Sequence, residues 1–212
     1  MFVTLEGIDR SGKTTQAAML ADALGPDTLL LREPGGTPAG ERIRELLKDP
    51  ELELNIGAEL LLFGAARAQL AASVIEPAKA ADREIVCDRY IDSTVAYQAA
   101  ALGQLYVDAP ENEGRSAFEI GAPLVERMNA LVVGACVPEL TVLLRVDPQL
   151  AEARRGPEAD RFESAGFEFQ REVAEAYDLI AARHPDRIVA IDAAGDPAEV
   201  HAGVLDAVDA RR

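Results

Sequence analysis

Eight residues near the start of the chain limit its fold more than any other feature: Gly7-Ile8-Asp9-Arg10-Ser11-Gly12-Lys13-Thr14 fits G-x-x-x-x-G-K-[ST] in full. The stretch follows an apolar run, Phe2–Glu6, that reads as a strand, and it opens a helical stretch, Lys13–Leu24. In that context the loop is a phosphate cradle, a P-loop. Its glycines let backbone N–H groups turn inward, the helix N-terminus adds partial positive charge, and Lys13 adds a full one. The positions from Gly7 through Ile8, Asp9, Arg10, Ser11, Gly12, Lys13 and Thr14 to Thr15 are therefore expected to hold a nucleoside triphosphate, with the Thr14 hydroxyl on Mg²⁺. The competing reading is an ordinary glycine-rich turn between a strand and a helix.

The rest of the chain alternates in the way this motif requires. Phe2–Glu6, Thr28–Arg32, Glu84–Asp88, Leu140–Val146 and Arg187–Asp192 read as buried strands. Helical patterns lie around Lys13–Leu24, Ala39–Lys48, Ala58–Ala81, Ser93–Ala101, Ser116–Val133, Phe167–Arg183 and Ala198–Ala210. Strands without strict alternation, separated by helices, predict a parallel sheet covered on both faces. The expected fold is thus α/β, a P-loop NTPase in three α/β/α layers around a five-stranded parallel sheet, forming one domain over 1–212. Ligands in such folds sit at the carboxyl ends of the strands. Leu102–Arg115 reads as a polar surface loop, and Arg154–Gly166, mixing arginines, carboxylates, Gly156 and Pro157, as a mobile lid. Asp88 ends its strand, where a carboxylate either supports the Mg²⁺ shell or caps the following helix.

Composition removes several function classes. The formal charge of −16 repels DNA, RNA and anionic lipid at long range. Lysine occurs only at Lys13, Lys48 and Lys79, so the basic side chains are mostly arginines, which suit compact phosphates. No apolar run is expected to span a bilayer, and the opening Met-Phe-Val-Thr-Leu-Glu-Gly lacks the basic segment of a signal peptide. Cys87 and Cys136 offer neither a disulfide framework nor metal spacing, and Cys87 reads as a core residue in a reducing cytoplasm.

Several short strings in order then resemble one family. Arg32-Glu33-Pro34-Gly35-Gly36-Thr37, Leu61-Leu62-Phe63 with Arg67-Ala68-Gln69, Asp88-Arg89-Tyr90 with Ser93-Thr94 and Ala96-Tyr97-Gln98, and the lid string Asp160-Arg161-Phe162-Glu163 look like the successive signatures of thymidylate kinases. The resemblance implies ATP-dependent phosphorylation of dTMP to dTDP with Mg²⁺ through Thr14 and Asp88, in a cytoplasmic homodimer that binds small molecules rather than nucleic acid or membrane. It implies that the Phe63 ring lies on thymine and the Arg67 guanidinium at its polar edge, a pair that faces one way at four-residue spacing on a helix. Thr94 and Gln98 would add hydrogen bonds to that edge, Tyr97 would crowd the sugar 2′ position, and Asp9 would accept from the 3′-hydroxyl. Arg44, Arg89 and Glu33 line up with groups around the acceptor phosphate, and Pro34 with a proline that follows a cis peptide. Lys13, Arg10 and the lid arginines Arg154, Arg155 and Arg161 would hold the donor phosphates, Arg154 counting among the ATP contacts and Arg155 and Arg161 among the catalytic groups. Arginines occur both in the P-loop and in the lid, where family members carry them in one place or the other. Two readings compete: a kinase for another monophosphate such as dUMP, and a nucleotide-sensing P-loop protein without turnover.

Overall fold

The computed structural model describes residues 1–154 and 166–212. Five parallel strands, β1 (Phe2–Glu6), β2 (Leu29–Arg32), β3 (Ile85–Asp88), β4 (Leu140–Arg145) and β5 (Ile188–Asp192), form one sheet in the order β2-β3-β1-β4-β5. Leu5 pairs with Asp88, Arg32 with Asp88 and Glu6 with Leu143, so the strands carrying the motifs end level with one another. The chain leaves β1 toward β2 and later crosses back to β4. The loop after β1 therefore lies where strand order reverses, the place where such sheets open a crevice.

Helices cover both faces. On one, α1 (Lys13–Leu24) and α9 (Pro197–Asp209) bury Leu20, Val200 and Val204 against Val3, Leu5 and Val142. On the other lie α3 (Ile56–Leu70), α5 (Ile91–Gln104), α6 (Ala117–Val133) and α8 (Phe167–Arg183), with α2 (Pro38–Lys48) packed beside α3. The second face of β1 reads Phe2, Thr4, Glu6, becoming more polar toward its carboxyl end, and all three are fully buried. Thr4 shares a 2.8 Å hydrogen bond with Thr141, and Arg187 reaches Asp92 and Thr141 at 2.7 Å each.

Three elements depart from expectation. Helix α7 (Pro148–Ala153) had no predicted range, although Asp147 caps it by accepting from the Gln149 N–H and Pro148 supplies a preset φ at its start. The predicted helix over 58–81 is α3 continued through a π-turn at Ala71–Ile75 into α4 (Glu76–Ala80). Pro77 has no N–H for the Ser73 carbonyl and its ring crowds it, which is a physical reason for the widened turn just ahead. This continuous helix has 25 residues and a mean hydropathy of 1.4 in its most apolar window, enough by length and composition to cross a bilayer. The expectation that no run reaches that size is corrected here. Within this stretch Arg67 is buried and ion-paired with Glu33. In the predicted loop Leu102–Arg115, α5 runs on to Gln104 and buried Asn112 ties the remainder together, donating to the Tyr106 carbonyl and accepting from Arg115.

Candidate active site

The loop after β1 is shaped by three backbone positions with positive φ, Gly7, Arg10 and Gly12. Gly7 stands at 143°, and a Cβ there would lie 2.6 Å from the Leu144 carbonyl oxygen, so only glycine fits. Arg10 adopts 61°, uncommon for a residue with a side chain and frequent where function sets the backbone. Lys13 opens α1 and folds back over the loop, its Nζ donating to the Ile8 carbonyl at 2.6 Å. Burial, reinforced by Arg89, lowers its pKa to about 8, while Asp9, Asp88 and Glu6 pull it upward. Thr14, next in α1, donates its hydroxyl to Asp88 Oδ2 at 2.5 Å.

Asp88 does not cap the helix that follows. That task falls to Glu6, whose Oε1 accepts from the backbone N–H groups of Tyr90 at 2.7 Å and Ser93 at 3.2 Å. Its Oε2 takes the hydroxyls of Ser93 at 2.6 Å and Tyr177 at 2.8 Å. Burial, with Asp92 nearby, raises the Glu6 pKa; the Ser93 and Tyr177 hydrogen bonds and Arg89 oppose that without cancelling it.

Arg89 sits at the centre of the site with φ 70°. It donates to the Gly7 carbonyl at 3.0 Å, Ser93 at 3.1 Å, Tyr97 at 3.1 Å and Tyr177 at 3.3 Å, and it pairs with Asp9. Its guanidinium also lies 5.0 Å from the centroid of the Tyr97 ring. Burial works against its charge, but Tyr97, Asp9, Tyr177 and Glu6 outweigh it and keep Arg89 cationic. The same pairing holds Asp9 low: burial alone would raise its carboxyl, and Arg89 and Lys13 more than reverse this. Gln170 from α8 clasps Asp9 twice, donating to Oδ2 at 2.8 Å and accepting from the backbone N–H at 3.2 Å.

Farther along the sheet edge, the Glu33–Pro34 peptide is cis, as the resemblance implies. Glu33 Oε2 lies 2.7 Å from both Nε and Nη2 of Arg67. Arg67 is 1% exposed and also donates to Asn129 at 2.7 Å and to the Tyr90 carbonyl at 3.0 Å. Burial raises the Glu33 pKa to about 7, with Arg67 pulling it back. Arg44 donates to the Pro34 carbonyl at 2.9 Å.

These groups share a cleft of about 280 Å³. Asp9, Arg10, Lys13, Thr14 and Asp88 line it on the P-loop side, and Glu33, Pro34, Arg44, Phe63 and Arg67 on the α2–α3 side. Arg89, Thr94, Tyr97 and Gln98 complete it from the start of α5. Gly7 and Ile8 border a neighbouring hollow, Thr15 is exposed on α1, and Arg154 donates to the carbonyls of Arg10 and Ala193 at 3.3 Å each. Arg155 and Arg161, with the rest of the lid string, lie outside the described residues. A P-loop at a strand-order reversal, opening onto a cleft with an aromatic ring and buried amide and hydroxyl groups, describes a nucleotide phosphotransferase. A model of the family described as thymidylate kinase matches residues 5–204. The chain belongs to the thymidylate kinase family.

Relatives in the family agree over full length. The chain is 39% identical to a thymidylate kinase of Deinococcus radiodurans, covering 100% of this chain and 97% of that one. It is 41% identical to one from Syntrophotalea carbinolica, over 94% and 90% respectively. The crystal structure of thymidylate kinase from Ehrlichia chaffeensis superposes with a TM-score of 0.76 at 32% identity, covering 99% of this chain and 98% of that one. Sequence reasoning missed Glu6, Asn129, Gln170 and Tyr177 in this member of the thymidylate kinase family, and gave Ser93, quoted in a signature string, no role of its own. Glu6, a carboxylate among the apolar residues of a buried strand, was the one readable signal.

Proposed function

We propose that this cleft carries out the thymidylate kinase reaction, transfer of the γ-phosphoryl group of ATP to dTMP to give dTDP, by direct in-line displacement. One observation carries the reading: the P-loop cations and the Phe63–Arg67–Thr94–Gln98 wall line the same cleft. Arg89 bonds to both sides of it, to Gly7 and Asp9 on the loop and to Ser93 and Tyr97 on α5.

The chemistry follows from charge. Two polyanions must be brought together, and the protein neutralises their repulsion and aligns them with little covalent work. In this reading Lys13, Arg10 and the loop amides of Gly7 to Thr15 hold the donor phosphates together with Arg154 and with Arg155 and Arg161, which lie outside the described residues. Arg89 and Arg44 hold the acceptor phosphate, with Glu33 and Pro34 shaping its surroundings. Asp9 keeps lone pairs beyond those given to Arg89 and Gln170 and accepts from the 3′-hydroxyl. Phe63 stacks on the thymine, Arg67, Thr94 and Gln98 meet its polar edge, and Tyr97 fills the space of a 2′-hydroxyl. The acceptor phosphate is already ionised at neutral pH, so no strong base is required.

Thr14 and Asp88 suit Mg²⁺. Their oxygens are hard donors 2.5 Å apart, and no cluster of three or more His, Cys, Asp or Glu stands among the described residues. Mg²⁺ takes few protein ligands and keeps waters and phosphate oxygens, which matches this sparse set. Held by Thr14 and Asp88, such an ion would supply positive charge against the phosphates. Residues 1–212 are proposed to work as one kinase domain in the cytoplasm, and as a homodimer built on α3 and α6. Leu61 and Leu131 support that face, being 67% and 83% exposed.

ADP release with ATP, Mg²⁺ and a panel of monophosphates tests the assignment. dTMP should be the best acceptor, and a clear preference for UMP, CMP or AMP overturns it. The arginine roles are tested separately by Arg10→Ala and Arg155→Ala, each expected to lower kcat strongly; an unchanged kcat in both removes them.

A further inference from the structure

Gln98 is 2% exposed and lines the cleft, and its amide has no choice of orientation. Nε2 donates to Glu59 Oε1 at 2.9 Å. A carboxylate accepts and cannot donate, so the reversed amide would set two acceptors against each other. Glu59 stands in the first turn of α3, where the helix N-terminus favours negative charge. The carbonyl Oε1 of Gln98 is thereby turned away from Glu59, and no described residue donates to it.

Two other groups at the same end of the cleft complete a pattern. One turn earlier on α5, the Thr94 hydroxyl is buried with no hydrogen-bond partner among the described residues, and it can donate or accept. Arg67 has N–H groups engaged by Glu33, Asn129 and the Tyr90 carbonyl, and its fork retains a hydrogen on Nη1. The base end thus presents one fixed acceptor, one fixed donor and one hydroxyl of either sense.

We propose that Glu59 sets the base selectivity of the cleft: by locking the Gln98 amide it admits a pyrimidine with a ring N–H beside a carbonyl and rejects one with a bare ring nitrogen beside an amino group. Thymine and uracil are of the first kind, cytosine of the second. The inference rests on reading this cleft as the monophosphate site. Glu59 is a positioning residue here, acting through Gln98, and it goes beyond Phe63, Arg67, Thr94 and Gln98, which meet the base themselves.

The test measures kcat/KM of the full chain for dTMP, dUMP and dCMP in the wild type, Glu59→Gln and Glu59→Ala. An amide or a methyl at position 59 lets Gln98 turn. The dTMP to dCMP ratio should then fall by about tenfold, the worth of one hydrogen bond made in place of a clash. The change should appear mainly in KM, with dCMP improving in absolute terms. The dTMP to dUMP ratio should hold, because both bases carry the same N–H and differ by a methyl. A role in merely supporting α3 would weaken all three substrates together. A wild-type dTMP to dCMP ratio in both variants overturns the proposal while leaving the kinase assignment intact. A wild type that turns over no pyrimidine monophosphate overturns the assignment itself, and this proposal with it, before any substitution is made.

Discussion

Lys13 shows how a single buried side chain links fold to ligand. With its pKa near 8, the free protein presents a cation to phosphate below that pH and a largely neutral amine above it. Bound ATP would restore the proton, so ATP affinity should fall by up to about tenfold per pH unit above 8. Calorimetry in two buffers of different ionisation enthalpy should show proton uptake growing through pH 8; an affinity that stays level from about pH 7 to about pH 9 would contradict this. Glu33 titrates the other way. Its folded pKa of about 7 lies above the ordinary 4.5, so between these values the native chain holds more protons than the unfolded one. Its contribution therefore makes stability rise as pH falls from 7 toward 4.5. In Glu33→Gln the melting temperature should respond less to pH across that window than in the wild type; parallel curves would rule out the shift. That Phe63 faces the same way as Arg67, and Thr94 as Gln98, was legible from their spacing, since residues four apart on a helix share a face, while their place beside a base was only what the resemblance implied. Gln170 and Tyr177 were not legible, because they reach Asp9 and Glu6 across 161 and 171 positions of chain, and no local pattern encodes such a contact.

Helix α6 shows how an element carries its own repairs. Pro123 lies inside it and cannot donate to the Glu119 carbonyl one turn back. Arg115 fills that vacancy, its Nη2 donating to Glu119 O at 2.6 Å. The predicted loop 102–115 thus ends in a residue that mends the next helix, a role invisible until the two are adjacent in space. Farther along, α5 and α6 cross with almost no side chain between them: a Cβ on Gly121 would lie 1.8 Å from the Ala99 carbonyl oxygen, and one on Gly103 equally near that of Ala117. Urea unfolding should separate the two features. Arg115→Ala removes two side-chain hydrogen bonds, to the Glu119 carbonyl and to Asn112 Oδ1, and should cost about 1–2 kcal/mol. Gly121→Ala must force the helices apart and should cost roughly 3 kcal/mol. A Gly121→Ala protein as stable as the wild type would show that the crossing is looser than described.

At the scale of the molecule, the charge of −16 surrounds a site lined by cations. Surface self-repulsion of that size destabilises the compact state and is screened by salt. The melting temperature should therefore rise between about 0.05 M and about 0.5 M NaCl, where the Debye length drops well below 10 Å; a flat or falling curve would mean that carboxylate repulsion is unimportant here. The proposed dimer is checked by sedimentation of the wild type beside Leu131→Arg, which should shift mass toward the monomer if α6 forms the contact. Equal mass in both would move the interface elsewhere.

The alternation of buried strands and helices, the P-loop and the order of the short motifs were all local properties of the chain, and so the α/β class, the phosphate cradle and the family could be read from residues alone. Strand order, the Glu6 cap on α5, the Arg89–Asp9–Gln170 cluster and the Glu59 hold on Gln98 were decided only by folding. Each joins groups brought together by burial, where an unpaired polar atom is costly and every donor must find an acceptor, however far away in sequence that acceptor lies.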